Sequence, residues 1–488
     1  MPPTNRPLRR AAAFGLACLA LAACEQAQTG PVQIVAIGPG PAMLNPNREA
    51  MTPSSALLLD TVAQGLVRFD AAGEIEPALA QSWIVSDNGR RYTFRIRRTL
   101  WARGEPVNAR QVAERLQATI ARNSRNALKP VLGAIDQIEA MTDHVLEIRL
   151  KAPRSNFLQL LAQPEMAIVA GNEGTGPYRM GGEEDGTFRL IPPPPDEDSD
   201  APADARPNIM LSGRDAAEAI ARFVQGDADL VTGGTLADAP MLSAVEIPRE
   251  RLVYDPARGL LGLAFVRTDG PLAAARFRHA LAMAIDREAI QARFNLATLQ
   301  PRMSLLPTGL SEFATPAVPD WATVPQTARR DTAARIVAEY ADGERPRLRV
   351  ALPAGPGYRI LFAHIRRDWR AIGVEAEAVA PGAQADLRLI DEVAPADLVP
   401  WYLRQFVCGV SPVCSEEADR LLETARNTLV PAERQAMLGQ ADRLLVGTGA
   451  YIPIGQPVRW SLRAPRLDRF RANPFGRHPP TELIGEDD

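Results

Sequence analysis

Histidine, cysteine and paired carboxylates carry most enzyme and metal chemistry, and their spacing here speaks against both. The four histidines, His144, His279, His364 and His478, lie far apart in 488 residues and belong to no HExxH, GxSxG or GxxxxGK pattern. His144 opens a strand and His279 follows Arg278 within a helix, positions where an imidazole serves structure. The run Gly174-Thr175-Gly176-Pro177-Tyr178 lacks the third glycine of a dinucleotide fingerprint, and Pro177 interrupts a helix start. Asp196, Glu197, Asp198 and Asp200 lack EF-hand spacing and its glycine, so they read as part of a proline-rich, acidic, solvated loop over residues 191–206. The sequence therefore predicts no catalytic residue, no cofactor and no metal.

Cysteine gives a positive reading. Arg6, Arg9 and Arg10 precede an apolar stretch from Ala11 to Ala22, 12 residues that are too few to span a bilayer. Leu21-Ala22-Ala23-Cys24 then resembles the lipobox of bacterial lipoproteins, in which the signal is cut before the cysteine and its sulfur is acylated. The expectation is a signal peptide over 1–23, a lipidated Cys24, a leash over 24–30, and an extracytoplasmic chain held to a membrane by lipid. Only Cys408 and Cys414 then remain in the folded body. An oxidising compartment lets them pair around Gly409 and Pro412, with two unpaired thiols as the alternative. No further His or Cys stands near enough in sequence to complete a tetrahedral metal site.

Composition sets the wider frame. Hydrophobic residues make up 46% and charged residues 23%, a globular balance with room for two or three domains. Lys+Arg 55 against Asp+Glu 58 leaves a net charge of -3, which provides no basic field for nucleic acid. The elements are mixed α and β. Tyr92, Phe94 and Ile96 alternate with polar residues, as do Leu146, Ile148 and Leu150, and both runs read as half-buried strands. Between them Asn108 caps a helix, with Gln111 at its third position and Val112, Leu116 and Ile120 as its apolar stripe. A second helix carries Phe277, Leu281, Ala284 and Ile285, and Asp286 reads as the cap of a third, Arg287 to Phe294.

The order of short motifs is more informative than any one of them. Gly65-Leu66, Pro77 to Trp83, Gly89 to Phe94, Gly104 to Pro106, the helix from Asn108, the Gly174 to Tyr178 turn, Phe223 to Leu230 and Arg278 to Glu288 occur in one long series. That series resembles the bacterial extracellular solute-binding proteins of family 5, the peptide and nickel type, and residues 31–290 carry it best. Most of these positions make turns or core and so identify a scaffold.

The resemblance implies an α/β, two-lobed periplasmic-binding-protein-like fold with a ligand cleft between lobes and a subdomain inserted in the first. Lobe I is expected from residues 31–51, 172–258 and 455–488, the insertion from 52–171, and lobe II from 259–454. It further implies a monomeric solute-binding lipoprotein of an ABC importer that closes on a peptide or small-molecule solute and delivers it to permease subunits. Met43 and Leu44 are placed in a loop facing the cleft, and Asp391, Trp401, Tyr402 and Arg404 are its candidate ligand residues, with Glu392 or Asp397 as alternative carboxylates. Trp401 and Tyr402 read either as core or loop packing or as an aromatic wall over the ligand, and Arg404 either as a solvated face residue or as a ligand contact. Asp391 and Arg404 would hold the two charged ends of a peptide, with Trp401 packed between them. The chain departs from the family pattern at Gln64, where many relatives carry Glu, at Val266, where many carry Asn, and over residues 386–397, where a Trp and an Asp are expected. A family member adapted to envelope interaction or sensing, or to a non-peptide solute, is the alternative reading.

Overall fold

A computed structural model of the protein describes residues 30–154, 156–171, 173–193, 206–311, 313, 315–341 and 344–483. The expected signal peptide, Cys24 and the expected leash up to residue 29, most of the acidic run and the last five residues lie outside this set. Among the described residues no helix is long and apolar enough to cross a membrane.

The described residues form four sheets, three large ones and a two-stranded pair of Val67–Phe69 with Ile75–Pro77. A seven-stranded sheet is built from strands Val32–Ile37, Arg179–Glu184, Thr187–Ile191, Ile209–Arg214, Leu230–Thr235, Leu252–Asp255 and Arg459–Arg463. A five-stranded sheet takes Gly259–Phe265, Arg347–Ala351, Glu375–Val379, Leu387–Val393 and Tyr451–Gly455. The four-stranded sheet of the insertion takes Ala80–Ser86, Arg91–Ile96, Ile135–Thr142 and Val145–Leu150. The three large sheets draw their strands from the segments expected for lobe I, lobe II and the inserted subdomain, and those names are used for them below.

Local sequence accounts for much of this. Asn108 forms a reciprocal capping box with Gln111, which starts the Ala109–Ile120 helix. That helix packs on the strands Ile135–Thr142 and Val145–Leu150 of the four-stranded sheet, with its Val112 and Leu116 buried in the same core as Ile138, Leu146 and Ile148. Asp286 Oδ1 likewise accepts the Ala289 N–H at 3.0 Å and starts Arg287–Phe294. The strand Gly259–Phe265 (GLLGLAF) is buried along its whole length and paired on both edges, as its uninterrupted apolar run requires inside a covered sheet.

One boundary differs from the sequence division. The helix Pro53–Val62, expected at the start of the insertion, instead covers lobe I, with Leu57, Leu58 and Val62 packed against Val32, Ile34 and Leu211. Its apolar residues are spread around the helix, so periodicity could not say which sheet it serves. The Gly174–Tyr178 turn then locks onto its end. Gly176 N donates to Val62 O at 3.0 Å, and a Cβ on Gly176 would lie 2.4 Å from Thr61 O, so only glycine fits. Gln64 Nε2 donates to the carbonyl of Thr175 at 2.5 Å, a bond that an ionised Glu cannot make.

Lobes I and II are joined by two short crossings, Pro256–Arg258 and Gln456–Val458. They run side by side, because Asp255 pairs with Arg459 in one sheet and Leu261 with Gly455 in the other. Two adjacent antiparallel strands passing between two sheets make a hinge with few torsions to move. Asp255 is anchored on the lobe I side by Asn473 N at 3.0 Å and His478 Nε2 at 3.1 Å.

Candidate functional site at the lobe junction

The strand Leu387–Val393 ends at the lobe junction and brings Asp391 there from lobe II. Its carboxylate is already engaged. Oδ1 accepts Arg459 Nη1 at 2.7 Å, Oδ2 accepts the Tyr358 hydroxyl at 2.7 Å, and its carbonyl accepts Arg459 Nη2 at 3.0 Å. The Asp391 side chain is 4% exposed and that of Arg459 16%, so the pair is largely withdrawn from water. Because Arg459 belongs to the seven-stranded sheet and Asp391 to the five-stranded one, this ion pair joins the lobes. Burial raises the Tyr358 phenol far above its ordinary range, and the Asp391 charge and hydrogen bond add to that, so it stays protonated and donates. Asp238 on lobe I is also held above the usual carboxylate range, first by burial, against hydrogen bonds from Thr235 and with Asp391 adding repulsion.

A second contact lies beside this pair. The helix Pro356–Ala371 of lobe II begins directly against the lobe I loop, where Gly357 N donates to Ala237 O at 2.8 Å. A Cβ on Gly357 would lie 1.8 Å from Leu236 O. Main chain meets main chain there, and the lobes are in contact.

The structure does not set Asp391 and Arg404 across one cleft. Arg404 closes the short helix Val399–Arg404 and faces Glu423 of a neighbouring helix at 3.8 Å, near Arg426. Its pKa is lowered chiefly by burial and then by Arg426, with Glu423 and Asp419 opposing. Trp401 and Tyr402 form no open aromatic wall. Both are buried, with ring centroids 4.8 Å apart in a T-shaped contact, and Tyr402 is fully enclosed. A short helix carrying Val399, Trp401, Tyr402 and Leu403 needs a core more than a cleft, and that competition decided their place. Met43 is half-buried against the lobe I core, and Leu44 beside it is half-buried too.

Cys408 and Cys414 form a disulfide with Cα atoms 5.1 Å apart. The loop it closes is fixed to its neighbours by Cys408 N donating to Asp419 Oδ2 at 2.9 Å. Among the described residues no group of three His, Cys, Asp or Glu side chains is placed to hold a metal ion.

Sequence reasoning missed Arg459, Tyr358 and Gly357. Nothing local marks them, since an arginine in a strand and a tyrosine in a helix gain meaning only when two sheets meet. It also missed the insertion's contact with the segment after Asp391. There Gln163 Nε2 donates to Pro395 O at 2.5 Å, Gln159 Oε1 accepts Asp397 N at 3.0 Å, and Asn156 Nδ2 donates to Asp397 O. The sequence signal available was three amide residues at i, i+3 and i+7.

Comparison with known proteins fits this architecture. Over 475 residues the chain is 23% identical to the di/tripeptide-binding protein 1 of Pseudomonas aeruginosa (strain UCBPP-PA14), covering 86% of this chain and 87% of that protein. A 131-residue stretch is 34% identical to the nickel-binding periplasmic protein of Escherichia coli (strain K12); it spans 27% of this chain and about a quarter, 24%, of that protein. The fold superposes on the Escherichia coli murein tripeptide binding protein MppA with a TM-score of 0.78 at 20% identity, covering 92% of this chain and 97% of that one. The sequence profile of the bacterial extracellular solute-binding proteins, family 5 Middle, matches residues 74–393, well over half of the chain. The chain is therefore a member of the bacterial extracellular solute-binding proteins, family 5.

Proposed function

We propose that this protein is the lipid-anchored solute receptor of an ABC importer and that its solute is a short peptide or a peptide-like molecule. Membership of a solute-binding family makes it a carrier that closes on its cargo, not a catalyst. The observation that carries the peptide reading is the match over 86% of the chain to a protein named for di- and tripeptides. The two antiparallel crossings at Pro256–Arg258 and Gln456–Val458 supply the hinge that closure needs.

One observation favours a different cargo. Asp391 is taken by Arg459 and Tyr358, so it is not available to clamp a peptide ammonium unless that pair opens. A non-peptide solute, or a role in envelope sensing, is the second reading. Native mass spectrometry of solutes retained on purification, followed by calorimetry with di- and tripeptides, separates them. Saturable peptide binding upholds the first; a retained non-peptide solute with no peptide binding replaces it. The anchor is tested by Cys24→Ser, which is expected to shift the mature protein out of the detergent phase. Unchanged partitioning refutes lipidation at Cys24.

A further inference from the structure

We infer that the inserted subdomain is a second closing jaw, latched to lobe II by Asn156, Gln159 and Gln163, whose amides read the main chain of Pro395 to Asp397. This rests on the lobe-closure reading above. The insertion is fused to lobe I at both of its ends, around residues 64–66 and 168–176, where Gln64, Thr175 and Gly176 interlock with the Pro53–Val62 helix. It meets lobe II only through space. Any parting of the lobes about Pro256–Arg258 and Gln456–Val458 must therefore break the insertion's contacts with lobe II.

Those contacts are of a kind that separates easily. Both main-chain groups of Asp397 are taken by amide side chains, its N–H by Gln159 and its carbonyl by Asn156, while Gln163 holds the carbonyl of Pro395. Asn156 Nδ2 also reaches Ser311 Oγ at 3.1 Å, and Ser311 N donates to Asp397 Oδ2 at 3.0 Å, so one side chain ties two lobe II loops. Water replaces every one of these bonds on opening, and each is worth little net. The apolar part of the contact is incomplete as well. Phe157 and Leu160 of the insertion face Leu398 and Leu422 of lobe II across a cavity of about 30 Å³, whereas a permanent core packs to crystal density.

Two buried oxygens on the same residues, Gln163 Oε1 and Asp397 Oδ1, lack a hydrogen-bond partner among the described residues. Attractive amides and orphaned oxygens in one interface make a contact balanced between two states. The other elements at this contact present Arg258, whose guanidinium stands 3.9 Å from Asp397 Oδ2, and Arg154, whose Nη2 donates to Arg426 O at 2.6 Å.

The test uses the full chain with its native disulfide and Cys24→Ser, and reads distances between spin labels on exposed positions. One pair, Asn123→Cys with Glu417→Cys, spans the insertion and lobe II. The other, Glu250→Cys with Glu377→Cys, spans lobes I and II. Asn156→Ala, Gln159→Ala and Gln163→Ala together are expected to shift the closed-to-open ratio by ~tenfold or more, lengthening both distances while circular dichroism stays native. If the triple variant does not fold, Gln159→Ala alone is read in the same way, with a smaller shift. Unchanged distances in a folded variant overturn the latch. A lobe I to lobe II distance that lengthens while the insertion to lobe II distance stays fixed overturns the latch but keeps lobe closure. One fixed distance for both pairs, in every variant and across denaturant, overturns lobe closure itself.

Discussion

Replacing Asp391 distinguishes an internal bridge from a ligand clamp, because the two roles fail differently. A carboxylate waiting for a ligand contributes nothing to the stability of the unliganded fold, whereas one paired with Arg459 does. Removing one member of a buried ion pair costs about 3 to 5 kcal/mol when the partner is left uncompensated. Arg459 is 16% exposed and keeps the carbonyls of Val458 and Asp391 as acceptors at 2.8 and 3.0 Å, so Asp391→Ala should cost less, about 2 to 3 kcal/mol. Asp391→Asn keeps one acceptor and should cost about 1 to 2 kcal/mol. Urea unfolding at pH 7 measures both, and a double-mutant cycle with Arg459→Met isolates the pair. Coupling of about 1 to 3 kcal/mol is expected; below ~0.5 kcal/mol, the bridge between lobes is not a stabilising contact.

Burial holds the Asp442 carboxyl at about 7, against the Ala317 N–H and Arg443, which lower it. At this group the folded chain keeps a proton that the unfolded chain releases near 3.8, so its contribution to stability is lost as pH rises between about 4 and 7, by roughly 2 to 4 kcal/mol, and Asp60, also held at about 7 by burial, adds a slope of the same sign. Asp442→Asn should reduce the slope in unfolding measured from pH 4 to 8, and an unchanged slope refutes the assignment. Gly357→Ala should force the Pro356–Ala371 helix away from Leu236 and lower the melting temperature, whereas Gly447→Ala, with open space around it, should not; equal melting temperatures would show that the junction yields freely. Cys408→Ser with Cys414→Ser should cost about 2 kcal/mol, the loop-closure value for a ring this short, and labelling of the oxidised, denatured protein should find neither thiol free.

Much of the scaffold is legible in the chain because its signals are local. The Asn108–Gln111 capping box, the Asp286 cap, the alternation of Tyr92, Phe94 and Ile96, and the glycines of the Gly174–Tyr178 turn each report a constraint satisfied within a few residues. Their order along the chain is what exposes the family. Even there the glycine signal has a non-local cause, since Gly176 is required by the backbone of Thr61 and Val62 more than 100 positions away.

The sequence alone determined the element types, the family and the absence of any catalytic motif, because helix caps, strand alternation and motif order are written in short windows. Only the tertiary structure decided what the charged and aromatic residues after position 386 do. Asp391 and Arg404, 13 positions apart, are drawn to Arg459 and Glu423 because a buried charge takes whichever partner packing delivers, and that partner lies on another element. Trp401 and Tyr402 entered the core because large apolar rings gain more from burial than from facing water. Asn156, Gln159 and Gln163 became contacts of lobe II because the hinge lays the Pro395–Asp397 main chain across them, and chain folding alone sets that juxtaposition.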